Sequence, residues 1–438
     1  MHSKTSQLPM NRPYLPTFFK YFYLFALLTS TFLLATREAI AQQYDVLIKN
    51  GHVIDPKNGI NDVMDVAMAN KKVARIEKNI PSESAKQVID AKGLYVTPGF
   101  IDMHSHNYYG TDPYTDYANG MNALQPDGFT FRSGVTTVVD AGGSGWRNFF
   151  HFKQQVIDHA ETRVLAFINI VGNGMRGDGP YEQDQNDMDP KLTAHEAQRY
   201  KDIIVGIKLA HYVGHDWTPL DRAEAAGVQA NIPVMVDFGS ARPALELETL
   251  FMEKFRPGDI YTHALGGGGE GRQAIVSDDG VLRPFVLKAQ QKGVIFDVGH
   301  GGASFFYKVA VPAMKQGFRP NTISTDAHLR SSLSGMKDMS SVMSKFLNLG
   351  MSIQQVIEAS TWKPAQVIHH TDLGNLSVGT EADVTLFNIR TGDFGFFDRT
   401  GGEKMKGTQK IEVELTLRAG KVVYDLNGRS VPEYSPGK

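Results

Sequence analysis

The sequence predicts an α/β protein: a TIM-type (β/α)8 barrel carrying a small β-sandwich domain built from both ends of the chain. Three observations carry that expectation. Apolar runs at 100–103, 135–140, 164–171, 203–209, 234–238, 260–263, 294–298 and 322–326 are separated by segments with helical periodicity, for example 194–201 and 219–230. Most of these runs are continuous rather than alternating, as parallel strands covered on both faces should be, and eight β/α units in one stretch fit a barrel. On either side of that stretch the style changes to short strands with polar turns, which suits a sandwich or open barrel better than a catalytic core. The resulting division is a leader at 1–41, sandwich parts at 42–97 and 371–438, and a barrel at 98–370.

The chain has 438 residues, 42% of them hydrophobic, enough for one large domain and a smaller one. Its formal net charge of −2 leaves no basic footprint for nucleic acid. There is no cysteine, which excludes thiolate metal sites, disulfides, cysteine nucleophiles and a lipoprotein anchor. The opening reads as a secretory signal. Lys4, Arg12 and Lys20 accompany an apolar run over 21–34, short for a membrane span, and Ala39-Ile40-Ala41 offers a small-x-small cleavage site. Arg37 and Glu38 stand between run and site, so an uncleaved N-terminal anchor is the competing reading. Cleavage after Ala41 leaves 41 basic and 46 acidic residues, a formal charge of −5. A soluble periplasmic or secreted enzyme is then expected, with a small-molecule substrate, no membrane partner, and homo-oligomerisation left open.

In chain order, Asp45-Val46-Leu47-Ile48 is expected to turn through Asn50-Gly51 into His52-Val53-Ile54-Asp55. Residues 63–76 carry apolar positions at strand spacing around a turn at Asn70-Lys71-Lys72, and 87–96 adds a strand pair. Within the barrel two loops are long. Residues 107–131 follow strand 1 and are rich in Tyr, Asp and Gly; residues 172–191 follow strand 3 and hold Arg176, Tyr181 and several acids. Both belong to the C-terminal face, where barrel enzymes keep their active sites, and at least one is expected to cover the substrate. After Thr361-Trp362-Lys363-Pro364-Ala365, segments 379–387 and 415–424 read as strands that rejoin the N-terminal sheet.

The chemistry is read from strand ends. Strand 1 closes with His104-Ser105-His106. Residues i and i+2 of a strand point to one side, so two imidazoles can enter one site, a donor pair that suits zinc. Strand 4 ends in Gly206-Ile207-Lys208, a lysine where a buried run should continue; strand 5 ends in Asp237, strand 6 in His263 and strand 8 in Asp326. Each has a plain alternative: a lysine snorkels, an aspartate caps a helix, a histidine sits satisfied in a core. All of them at the same end of successive barrel strands fall on catalytic positions.

Pro98-Gly99-Phe100-Ile101-Asp102-Met103-His104-Ser105-His106 opens the barrel and Ser324-Thr325-Asp326-Ala327-His328 closes it. With Leu47-Ile48-Lys49-Asn50-Gly51 before them and Val378-Gly379-Thr380-Glu381-Ala382-Asp383 after, these motifs give a chain that resembles the amidohydrolase superfamily over nearly everything after the leader. Asp140-Ala141-Gly142-Gly143-Ser144-Gly145 and Phe296-Asp297-Val298-Gly299-His300-Gly301 make it most similar to the metallo-deacetylase branch related to dihydroorotases. The resemblance implies two divalent metals, zinc first among them. His104, His106 and Asp326 would hold the inner metal, and His263 the outer one. Lys208, carboxylated by CO2, would bridge the two as a carbamate. Paired metals lower the pKa of a shared water and polarise a carbonyl, and Asp326 would relay the proton. One residue departs from the family pattern. Asp237 stands where the family has a histidine, and is read as a replacement ligand; a weakened outer site and recruitment of His211 or His215 are the alternatives. His300, Gly301, His211 and Arg176 are candidate substrate contacts.

The expected function is hydrolysis of an acyl ester or amide, deacetylase-like, by metal-activated hydroxide. The alternatives are a cyclic-amide hydrolase or D-aminoacylase on the same scaffold, and a ligand-binding barrel that has lost catalysis. Lys208 speaks against a mononuclear deaminase, and His104, His106, His263 and Asp326 against the inactive barrel.

Overall fold

Strand β1 (Tyr44–Asp55) runs unbroken through Asn50-Gly51, where the sequence predicts a hairpin. Asn50 takes a left-handed φ of 62°, and the antiparallel pairing with β2 (Ile60–Ala69) slips between Ile48 and Gly51. The Asn-Gly pair therefore makes a β-bulge, which re-aims a strand without ending it. β2 turns through Asn70 and Lys71, both left-handed, into β3 (Lys72–Glu77), as predicted. Residues 44–49 of β1 pair in parallel with β4 (Ala85–Asp90), while His52 and Val53 pair with β5 (Tyr95–Pro98). β4 and β5 thus share one edge of β1, on either side of the bulge, instead of pairing with each other. These coordinates are a computed structural model that describes residues 42–110, 122–175, 180–237, 241–268 and 271–435; residues 1–41, expected as a leader, and Arg176 lie outside them.

Seven parallel strands follow in sequence order: β6 (Phe100–Ser105), β7 (Val135–Gly145), β8 (Arg163–Asn169), β9 (Ile204–Ala210), β10 (Val234–Asp237), β11 (Ile260–Tyr261) and β12 (Ile295–Phe296). β6, β7, β9 and β10 are buried at every residue, which is why their sequences are continuous apolar runs. One face packs inward, joining Ile101, Met103, Val139, Phe167, Met235 and Ile295 in a single cluster. The other meets helices, among them α1 (Pro190–Arg199), α2 (Thr218–Ala230), α3 (Pro284–Lys292), α4 (Tyr307–Lys315), α5 (Met339–Asn348) and α6 (Ile353–Ser360).

The run predicted as an eighth strand forms isolated bridges instead: Thr322 pairs with Asp297 and Ala327 with Ser105, both in parallel. His300 N and Gly301 N donate to Ser324 O and Thr325 O (3.2 and 2.8 Å); Asp326 N donates to His104 O, and His106 N to Ala327 O (2.7 and 2.8 Å). The segment is thus hydrogen-bonded to β6 on one side and to the chain just after β12 on the other, joining the two edges of a curled sheet. It is irregular because Asp326 takes a φ of 53° and because Asp102 captures both the amide (3.0 Å) and the hydroxyl of Thr325.

β13 (Val384–Phe397), β14 (Lys404–Arg418) and β15 (Lys421–Asp425) return the chain to the first sheet, which has eight strands in the order β15-β14-β13-β5-β1-β2-β3, with β4 also on β1. The stretch 415–424, predicted as one strand, is the end of β14 and the start of β15 around left-handed Ala419 and Gly420. Val53, Val66, Val96, Val384, Leu386, Leu415 and Leu417 share one apolar cluster, so both ends of the chain build the same small core.

Candidate metal centre

The side chains that the sequence places at strand ends converge. His104, His263 and Asp326 each offer a ligand atom, and these atoms lie within 4.8 Å of one another. His106 Nε2 is 2.9 Å from Asp326 Oδ1, and His104 Nε2 is 3.6 Å from the same oxygen. Lys208 Nζ, 1% exposed at the residue level, lies 3.4 Å from His104 Nε2 and 3.6 Å from Met235 Sδ. Asp237 Oδ2 is 3.3 Å from His263 Nε2. Three of the site residues, His211, His263 and Asp326, hold positive φ angles of 55°, 53° and 53°. Non-glycine residues adopt that backbone rarely, and where they do the surrounding structure holds them there, often at functional sites.

What stands behind the histidines decides what they can bind. Thr262 Oγ1 donates to Asp297 Oδ2 (2.8 Å), so at 2.7 Å from His104 Nδ1 it must accept the Nδ1 proton. His263 Nδ1 faces Gly299 O, and a carbonyl only accepts. Both rings therefore carry a proton on Nδ1 and turn Nε2 toward the cluster, the orientation metal-binding histidines use. Asp297 in turn accepts from Thr322 and Ser324 hydroxyls (2.6–2.8 Å). Gly299 sits where a Cβ would lie 2.4 Å from Thr262 Oγ1 and 2.8 Å from His263 Nδ1, so a side chain there would displace both bonds.

Electrostatics keep the donors in ligand form. Burial, and then Lys208, push His104 down to about 3, so its ring stays neutral. Burial alone would raise the Asp326 and Asp237 carboxyls, but His106 with His104 and His263 for the first, and His263 with Arg272 for the second, hold both below the usual carboxylate range. Burial lowers the Lys208 pKa against the pull of Asp237, Asp326 and Asp297. The neutral ring of His104, the imidazole of His263, two carboxylates and a lysine whose charge is disfavoured by burial form a donor set that fits a divalent metal.

Residues 87–148 match the sequence model of the amidohydrolase family. Over 389 residues, covering 87% of this chain and 99% of the relative, the sequence is 33% identical to a protein of Enterococcus faecalis named deacetylase. The chain belongs to the amidohydrolase family. In structure this amidohydrolase is similar to an adenine deaminase, with a TM-score of 0.77 and 30% identity over 87% of this chain and 100% of that one. It is also similar to a dihydroorotase, with a TM-score of 0.75 and 27% identity over 87% and 99%. The activity class is that of a metal-dependent hydrolase.

In this amidohydrolase the six predicted ligands, His104, His106, Lys208, Asp237, His263 and Asp326, lie around one centre. Gly301 lies against Asp326: a Cβ on it would stand 2.4 Å from Oδ2. His211 lies beside Asp237, with 3.6 Å between Nε2 and Oδ2. His300 is a correction. Its Nδ1 donates to Gly301 O (2.9 Å), its Nε2 accepts from Lys345 Nζ (2.5 Å), and its ring stacks on Phe305 at 4.6 Å, fully buried. With both nitrogens engaged it supports the 299–301 turn and presents nothing to a substrate. Arg176 lies outside the described residues.

Sequence reasoning missed Thr262, Glu182 and Arg272 altogether, and it quoted Asp297 and Gly299 only as family marks. Arg272 Nη1 donates to Asp237 Oδ1 (3.2 Å) and Nη2 to the carbonyls of Thr262 and His263 (3.0 Å each). The position of Asp297 just beyond the end of a strand was a usable signal. No local pattern marks Arg272, which reaches the site from a loop, or Glu182, which reaches it from the 3-10 turn Pro180–Gln183.

Proposed function

We propose that this amidohydrolase is deacetylase-like: it cleaves an acyl ester or amide of a small acylated molecule, using two divalent metals, zinc first among them, and a CO2-derived carbamate on Lys208. The observation that carries the reading is the pair of imidazoles, His104 and His263, each held from behind at Nδ1 and turning Nε2 to a cluster that contains Asp326. The inner metal would be held by His104, His106, Lys208 and Asp326, the outer by His263, Asp237 and the carbamate. The donors are imidazole and carboxylate, which suit zinc. The nearest polar atoms to Lys208 Nζ are an imidazole nitrogen and a thioether, and burial outweighs the pull of Asp237, Asp326 and Asp297 on its charge. A neutral amine can attack CO2, forming an N–C bond and releasing a proton, and so becomes an anionic oxygen ligand.

When bound, such metals acidify water and polarise a carbonyl. The chain's residues do the rest. Asp326 takes the proton of the attacking water and hands it to the leaving oxygen or nitrogen. His106 Nε2, 2.9 Å from that carboxylate, belongs to the same donor set. Thr262, Asp297 and Gly299 O hold the imidazoles in place.

The same proposal reads the curled sheet, completed by 322–327, as a closed eight-membered barrel over 98–370. The mixed sheet of 42–97 and 371–438 is read as a sandwich folded on itself. Residues 1–41 are read as a signal removed on export to the periplasm or beyond. Support comes from the hydrogen bonds of 322–327 to both edges and from the apolar cluster shared by both chain ends.

A relative named deacetylase, matched over 99% of its length, favours acyl cleavage; the dihydroorotase neighbour at 27% identity supports cyclic-amide hydrolysis as the second reading. Comparing kcat/KM across acetyl esters, N-acetyl amides, dihydroorotate and adenine separates them. Acetylated small molecules should lead the series. Faster turnover of the cyclic amide or of adenine would overturn the deacetylase reading.

A further inference from the structure

Resting on the metal-hydrolase reading above, we propose that His211 is a ligand of the outer metal in this chain, with Asp237 and His263, and that Glu182 positions His211 for it. Asp237 Oδ2 is the point on which two imidazoles converge: His263 Nε2 at 3.3 Å and His211 Nε2 at 3.6 Å. Neighbouring ligands of one tetrahedral zinc are separated by about 3.3–3.5 Å, given metal–ligand bonds of roughly 2.0–2.1 Å.

Each of the three groups is fixed from behind. His263 Nδ1 is bonded to Gly299 O. Arg272 Nη1 binds Asp237 Oδ1 at 3.2 Å, which leaves Oδ2 for the imidazoles. His211 Nδ1 lies 3.1 Å from Glu182 Oε2. A carboxylate on the far nitrogen of a histidine sets its tautomer and raises its basicity toward a metal.

Glu182 is fully buried, and its Oε1 has no hydrogen-bond partner among the described residues. Burying a carboxylate is costly unless it is paired, and here the pairing goes to a histidine in the loop after β9. The left-handed backbone of His211, shared with His263 and Asp326, is a second, independent mark. His215, in the same loop, is exposed around a bond from Nδ1 to Pro243 O (2.8 Å) and takes no part.

The test is zinc stoichiometry. The purified chain is stripped with chelator and equilibrated with Zn2+ across a concentration series. Bound metal is counted by elemental analysis, and folding is checked by circular dichroism and thermal unfolding. The wild-type chain should bind two zinc ions. His211→Asn should keep the first and lose the second. Glu182→Gln, which preserves the size of the side chain, should weaken the second by about 10–100-fold and leave the first unchanged; it also covers the case in which His211→Asn does not fold. Wild-type affinity for two zinc ions in either variant would overturn the role given to that residue. One zinc in the wild type would overturn the outer site alone, whereas no zinc would overturn the metal-hydrolase reading as well.

Discussion

In the proposed mechanism Asp326 is both ligand and base. Its Oδ1 lies 2.9 Å from His106 Nε2, and its Oδ2 faces Gly301, where a Cβ would stand 2.4 Å away. Asp326→Asn keeps an oxygen for the metal but cannot accept a proton. The variant should hold metal and lose about 10²–10⁴-fold in kcat; a rate within a few-fold of wild type would remove Asp326 from that role. Lys208→Ala should lose most activity and recover part of it in acetate or propionate, because a small acid replaces the oxygens of a carbamate. Unchanged activity without added acid would count against the carbamate. These two residues, with His104, His106 and His263, stood out in the sequence because they follow successive apolar runs, whose ends share one edge of the parallel sheet. Thr262, Arg272 and Glu182 did not. Their roles depend on partners from distant elements, and one sequence shows no contact of that kind.

The element that the sequence describes least well is the β13–β14 hairpin. It extends past the small sheet, where Thr400 N donates to Gly302 O (2.9 Å) and Phe397 O accepts from Lys345 Nζ (2.6 Å). Lys345, on α5, also donates to Gly335 O (2.7 Å) and His300 Nε2 (2.5 Å), so one buried amine joins helix, hairpin and the turn beside the site. Burial pushes this lysine down to about 7, against about 10.4 in an unfolded chain. Below pH 7 both states are protonated and the cost of burying the charge is felt in full. Between pH 7 and about 10 the unfolded chain binds more protons than the folded one, so this group's contribution makes stability rise with pH. Lys345→Met removes that contribution. Denaturant unfolding at several pH values should give a flatter rise across this window for the variant; parallel slopes would show that the lysine does not titrate there. Local pattern also misled at Asn50-Gly51, where the dipeptide that usually turns a hairpin bulges one strand. There, pairing with β4 and β5 on the far edge overrides the local preference. The run 322–326 failed as a regular strand for a related reason: its polar residues bond Asp102 and Asp297 instead of continuing a ladder.

At the scale of the molecule, the strands before β6 and those after residue 383 meet on the face away from the clustered side chains. β5 passes directly into β6, and Gly99 N donates to Asp383 O (2.9 Å). Arg163, opening β8, and Arg418, closing β14, both reach Asp383 (3.0 and 3.1 Å) and Glu381. The small sheet is thereby tied to the N-terminal edge of the parallel strands, while His104, Lys208, Asp237 and Asp326 occupy the opposite ends. The change of strand style along the sequence has a physical reason: strands covered on both faces and strands with a polar face carry different patterns. The central claim is that hydrolysis runs through a metal held by His104, His263 and Asp326. It is tested most directly by following one sample's rate of acyl hydrolysis together with its metal content, before chelation, after chelation, and after Zn2+ is returned. The rate should fall to background as the metal leaves and recover as zinc is restored; undiminished hydrolysis by metal-free protein would contradict the claim.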